Sequence, residues 1–122
     1  MKIYESAQDY LETILILGKK SQSVRSIDVA KELNVTKQSV HRAIKNLKND
    51  EYIIVGDNGF ISLTTKGKEI AEEMYERHQL LTKYFVSLGV NEKTALKDAC
   101  KVEHYLSDET YQAIKKIAQN NK

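Results

Sequence analysis

The chain of 122 residues has no proline, only five glycines and a single cysteine. With helix breakers so scarce, helix should dominate. One cysteine excludes an internal disulfide, and a lone thiol in a reducing compartment is either buried filler or a working group. No apolar run approaches the roughly 20 residues of a membrane-spanning helix, and the amino terminus lacks a charged-then-apolar signal segment, so a cytoplasmic protein is expected. The length allows one ordinary domain or two very small ones, and 41% hydrophobic with 30% charged residues fits a soluble globular fold.

Acidic residues are missing from one stretch in particular. Net charge is +2, with 10 basic and 8 acidic residues over 1–66 and 9 of each over 67–122. Within the first half, Thr36 to Asn49 carries Lys37, Arg42, Lys45 and Lys48 and no acid, a patch suited to phosphate.

Taken in order, residues 5 to 18 read as an amphipathic helix. Its apolar side is Ala7, Leu11, Ile14, Leu15 and Leu17, and Gly18 is a natural stop. Asp9 and Glu12 lie three apart beside that side, with no basic residue between Lys2 and Lys19. They are either solvated or held together by something positive. Ser26 to Leu33 follows as a helix of two turns capped by Ser26. After Asn34 and Val35, Thr36 caps a longer helix buried through Val40, Ala43, Ile44 and Leu47. Two capped helices across a short turn make a helix-turn-helix. The outward residues of the second helix, Thr36, Lys37, Gln38, Ser39, His41, Arg42, Lys45 and Lys48, suit base edges and phosphates in a major groove. The plain alternative is a solvated helix.

Tyr52 to Val55 and Phe60 to Leu63 are β-rich runs separated by Gly56-Asp57-Asn58-Gly59, a hairpin signal. Helix-turn-helix followed by a hairpin is a winged helix, with Asn58 at the wing tip facing DNA. Thr64 or Thr65 then caps a long helix to about Leu88, ended by Gly89. Its apolar stripe is Ile70, Met74, Leu81, Phe85 and Leu88, and His78 fills the gap, as a core histidine or as a ligand.

Helix five, about Glu92 to Leu106, carries Cys100, Glu103 and His104 on one face. Glu103 falls in line with Leu96, Ala99 and Leu106, which aims a carboxylate inward, where it needs a proton, a partner or a metal. Ser107 starts a last helix from about Asp108 to Ala118, and 119–122 read as a frayed tail. Carboxylates at Asp9, Glu12 and Glu103, imidazoles at His78 and His104 and the Cys100 thiol together suit a first-row divalent metal.

The motifs Asp9-Tyr10-Leu11-Glu12, Leu63-Thr64-Thr65-Lys66-Gly67-Lys68, Glu76-Arg77-His78-Gln79-Leu80-Leu81 and Val102-Glu103-His104-Tyr105-Leu106-Ser107 carry a family resemblance over essentially the whole chain. The chain resembles the diphtheria toxin repressor family of metal-dependent bacterial regulators, most closely its manganese transport regulator branch. The resemblance implies a mostly α fold, with a winged helix-turn-helix DNA-binding domain over residues 1–66 and a helical metal-binding and dimerisation domain over 67–122. The SH3-like domain of longer members is not expected. It further implies a homodimeric repressor that binds palindromic operator DNA when metal is bound, and controls metal-ion homeostasis. Asp9, Glu12, His78, Glu103 and His104 would be the ligands. Ser26, Asn58 and the outward residues of the Thr36 helix would meet DNA.

Two positions make the site a hybrid. Cys100 stands where the manganese branch has a carboxylate, and Asp9 stands where the cysteine-bearing iron branch has methionine. Thiolate favours iron(II), zinc or cobalt, whereas the Asp9 and Glu12 pair suits manganese and iron, so the expected metal is iron(II) or manganese(II). Cys100 is a sixth ligand, contributes only its carbonyl, or is an oxidation-sensitive ligand. Two other readings stand beside this one. In a metalloenzyme, Glu103 acts as a base, but the basic helix and hairpin go unexplained. In a metal-free winged-helix DNA binder, His78 and Glu103 form a buried hydrogen-bonded pair.

Overall fold

The computed structural model describes residues 5–21 and 23–120. The elements in chain order are α1 (Glu5–Lys20), α2 (Ser26–Leu33), α3 (Lys37–Asn49), β1 (Ile53–Val55), β2 (Ile61–Leu63), α4 (Thr65–Ser87), α5 (Glu92–Val102) and α6 (Asp108–Asn120). They divide into two compact units, Met1–Glu72 and Glu73–Lys122, with α4 contributing to both.

The first unit is built on a core of Leu11 and Ile14 from α1, Val29 from α2, Val40, Ile44 and Leu47 from α3, and Ile53 and Ile61 from the hairpin. The apolar periodicity of each helix is what places these side chains inward. Thr36 caps α3, its Oγ1 accepting from the Ser39 N–H at 3.1 Å. Asn34 in the left-handed region closes α2, so two short helices meet across a tight turn. The hairpin pairs Ile53 with Leu63 and Val55 with Ile61, around the predicted Gly56 to Gly59 tip.

The motif from Leu63 to Lys68 has a structural reason. Thr64 Oγ1 donates to the Glu51 carbonyl at 2.7 Å and accepts from the Gly67 N–H at 3.1 Å, while the Thr64 N–H donates to the Tyr52 carbonyl at 3.1 Å. Lys66 Nζ donates to the Asp50 carbonyl at 3.1 Å and lies 4.3 Å from the Tyr52 ring centre. The first turn of α4 is thereby fastened to the corner between α3 and β1. Gly67 sits so close to that corner that a Cβ there would fall 2.0 Å from the Tyr52 carbonyl oxygen.

In the second unit, α4 ends where Gly89 takes φ 98° and the Val90 N–H reaches back to the Phe85 carbonyl at 3.2 Å. Asn91 caps α5 through the Lys93 N–H at 2.9 Å, and Ser107, the expected start of the last helix, caps α6 through the Thr110 N–H at 3.2 Å. The buried side chains are Met74, Arg77, Leu81, Ala95, Ala99, Glu103 and Tyr111.

Several boundaries depart from the sequence expectation. Gly18 does not end α1, which continues to Lys20, because Gly18 is not in the left-handed conformation that terminates a helix. Ser26 is the first residue of α2 rather than its cap. The cap is Arg25, whose N–H donates to the Asp28 carboxylate at 2.9 Å. Helix α5 stops at Val102, so Glu103 and His104 sit in the turn that follows it and not inside a helix. Leu96 and Leu88 are exposed, at 50% and 63%, where the apolar stripes placed them inside. Helix α6 runs past Ala118 to Asn120, and residues 121 and 122 of the expected tail lie outside the described residues.

Candidate functional site

Three consecutive residues of α4 reach three destinations in the second unit. Glu76 faces α6, its Oε1 accepting from Lys115 Nζ at 2.6 Å and from the Tyr111 hydroxyl at 3.3 Å. Arg77 is 5% exposed, and its Nη1 donates to the carbonyls of Glu103 at 3.2 Å and Leu106 at 2.9 Å. His78 places Nδ1 3.0 Å from Oε2 of Glu103.

Glu103 is fully buried, and its second oxygen, Oε1, lies 3.4 Å from Nε2 of His104. One carboxylate therefore stands between two imidazoles, one on each oxygen. Cys100 is exposed, yet its sulfur and ligating atoms of His78 and Glu103 all lie within 4.8 Å of one another. The fold thus gathers four of the six predicted ligands, His78, Cys100, Glu103 and His104, around one turn. Among the described residues Oε1 of Glu103 accepts no hydrogen bond. A buried polar atom left so costs about 1–3 kcal/mol, and more when charged, which a cation would offset. Imidazole, carboxylate and thiol within one small sphere fit a first-row divalent ion.

The other two predicted ligands, Asp9 and Glu12, are on α1 in the first unit. Asp9 is half-buried and Glu12 is 7% exposed, so the alternative that both are solvated does not hold for Glu12.

The apolar stripe expected for α4 places only His78 in its gap. Steps of 4, 3 and 4 from Ile70 through Met74 and Arg77 to Leu81 fit a helical stripe as well as steps through His78 do. Both residues occupy the gap, and Arg77 is the more buried. Its guanidinium also stacks 4.7 Å from the Tyr111 ring centre and lies 3.8 Å from Asp108.

The first unit presents the predicted nucleic-acid face. Lys37, Gln38, His41, Arg42, Lys45 and Lys48 are all exposed on α3, and its buried residues are Val40, Ile44 and Leu47. Thr36 and Ser39 are exposed but engaged with each other, Thr36 Oγ1 donating to Ser39 Oγ at 2.9 Å. Ser26 is half-buried at the start of α2. Asn58 is exposed at the hairpin tip, with its Oδ1 accepting from the Phe60 N–H at 3.0 Å. Arg25, not anticipated, is exposed and lies 4.6 Å from the ring centre of Phe60, the residue that follows the hairpin tip.

The α4 to α6 contact titrates. Burial, then the negative charge of Glu76, pushes the Tyr111 phenol up to about 12, and burial also raises Tyr10. Unfolding lets Tyr111 ionise near its ordinary pKa of 10 while the folded protein keeps the proton. Stability present below pH 10 should therefore fall, by on the order of 1–2 kcal/mol, as pH rises through 10 to 12. The hydrogen bond from Lys115 holds Glu76 below its usual range, a smaller, exposed contribution lost in acid. Urea unfolding across this range with and without Tyr111→Phe checks it, since the variant should lose the Tyr111 share of the alkaline slope.

Residues 2–59 match a family model described as the iron dependent repressor N-terminal DNA binding domain, and residues 64–122 match the iron dependent repressor metal binding and dimerisation domain. The chain is 36% identical over 102 residues to the HTH-type transcriptional regulator MntR of Geobacillus thermodenitrificans, covering 84% of this chain and 72% of that protein. A solved manganese-dependent transcriptional repressor in complex with manganese superposes with a TM-score of 0.84 at 29% identity, covering 93% of this chain and 52% of that one. The manganese regulator SloR shares the fold with a TM-score of 0.82 at 22% identity over 98% of this chain and 55% of that one. This chain therefore spans about half the length of those two solved proteins. No described helix is long and apolar enough to cross a membrane.

Proposed function

Since this chain belongs to the iron dependent repressor family of metal-dependent transcriptional regulators, we propose that it is a cytoplasmic homodimeric repressor. It binds palindromic operator DNA when loaded with manganese(II) or iron(II), controls metal-ion homeostasis and has no enzymatic activity. The observation that carries this reading is the buried Glu103 carboxylate between His78 and His104, with the Cys100 sulfur in reach. Asp9 and Glu12 are assigned to the ligand set on their motif and on the burial of Glu12. Residues 1–66 are taken as the DNA-binding part and 67–122 as the metal-binding and dimerisation part.

A bound divalent ion supplies the positive charge that lets buried carboxylates stay ionised without repelling one another. The chain's own groups do the rest. His78 and Glu103 orient each other through their 3.0 Å contact, and Glu103 holds its second oxygen toward His104. In the DNA-binding part Lys45 and Lys48 meet phosphates, whereas Gln38, with an exposed side-chain amide on the first turn of α3, suits pairing with adenine. Two recognition helices in a two-fold dimer then read half-sites about 34 Å apart.

Titrating the purified protein with manganese(II) or iron(II) while following operator binding tests the coupling. Affinity should rise on the order of 5- to 150-fold, the range typical of linked sites, and equal affinity with and without metal would end the proposal. Lys45→Ala or Lys48→Ala should weaken binding to all sequences alike and reduce the salt slope by about one. Gln38→Ala should instead relax preference at one base pair.

One observation favours a second reading, a winged-helix DNA binder that uses no metal. His78 and Glu103 touch directly, which is how a self-sufficient buried pair would look. Elemental analysis of protein purified without chelator decides between them, because a metal-free protein with full operator affinity fits only the second.

A further inference from the structure

We infer that Arg77 is a positioning residue for the metal site, holding the turn that carries Glu103 and His104 in its ligand-presenting shape. The inference rests on the metal-site reading above. Helix α5 ends at Val102, whose carbonyl accepts from the Tyr105 and Leu106 N–H groups of the turn that follows. Arg77 reaches across from α4 and donates from one nitrogen to the carbonyls of Glu103 and Leu106, the two ends of that turn. A cation is otherwise costly to bury at 5% exposure. Here it is held by the Tyr111 ring on one side and by Glu73 and Asp108 at 3.4 and 3.8 Å. These contacts fix the guanidinium from two helices, and the guanidinium fixes the turn.

The side chain of Glu103 gains from this directly. Its backbone carbonyl is bound by Arg77, and its carboxylate is contacted by His78, the next residue along α4. Adjacent residues of one helix thus grip both ends of the same glutamate. His104 follows in the turn and inherits its orientation from the same hold. Lysine cannot replace arginine here, because an ammonium lacks the planar fork and does not stack in the same way.

The test uses the full chain with Arg77→Lys and, as a control for general loosening of α4 against α6, Lys115→Ala. Manganese(II) affinity is measured by competition with a metal-responsive dye, and amide hydrogen exchange is measured in EDTA. Arg77→Lys should fold and lose on the order of 10- to 100-fold in manganese(II) affinity, as residues that support metal ligands do. Lys115→Ala should stay within about twofold of the unmodified chain, because its partner Glu76 does not touch the turn. Affinity in Arg77→Lys within that same margin, or an equal loss in Lys115→Ala, overturns the inference.

Should Arg77→Lys fail to fold, exchange in the unmodified protein decides. The Tyr105 and Leu106 N–H groups, both bonded to the Val102 carbonyl, should be protected like those of mid-α5 even without metal. Exchange as fast as at the open end of α6 would show that nothing holds the turn. If the unmodified chain binds neither manganese(II) nor iron(II), the metal-site reading fails by itself, and the exchange result still judges whether the turn beside Arg77 is held.

Discussion

Glu103→Gln should leave the protein folded and reduce manganese(II) or iron(II) affinity by on the order of 100-fold or more, taking the metal response of operator binding with it. Glutamine keeps the shape of the side chain and can still accept from His78 at the position of Oε2. It removes the negative charge that two imidazoles and a thiol surround. Thermal stability without metal should be unchanged or higher, because a fully buried carboxylate is costly and its Oε1 accepts no hydrogen bond among the described residues. The opposite signs distinguish a functional from a structural role. Isothermal titration with metal and a thermal melt in EDTA read the two separately. A stable variant with undiminished metal affinity would show that Glu103 is not a ligand.

Gly67→Ala should destabilise the first unit by about 3 kcal/mol, as overpacking against backbone does. In an ordinary exposed helix the same change gains up to about 1 kcal/mol, since alanine is the better helix former. Here the added methyl would sit 2.0 Å from the Tyr52 carbonyl oxygen, an atom fixed by β1 and by its bond from the Thr64 N–H. Relief requires the start of α4 to lift from the corner, breaking the Thr64 and Lys66 contacts to Glu51 and Asp50. A lower urea midpoint is expected, and a raised midpoint would mean that α4 is not seated against that corner.

Local signals in the sequence were reliable where a single residue decides the outcome. Thr36 and Ser107 cap the helices assigned to them, and the Gly56 to Gly59 tip turns the hairpin. Gly89 ends α4 because it adopts a positive φ, which Gly18 does not. What could not be read was which of two adjacent faces packs. On α5 the large apolar residue Leu96 drew the stripe, but the buried row is Ala95, Ala99 and Glu103 at steps of four. Glu103 extends that row into the interior. The end of α5 was equally hidden, because the turn after it is bonded by Arg77, 26 and 29 residues away in sequence. The inward aim of Glu103 was legible, although the residue sits in a turn rather than on a helix.

The chain's only thiol has a practical consequence. Cys100 is open to reagents, and its sulfur belongs to the same small group of atoms as His78 and Glu103. A maleimide dye or a spin label would therefore attach to this one position in the native sequence, with no mutagenesis. The rate of that attachment, slowed by whatever occupies the neighbouring donors, makes the protein its own occupancy meter.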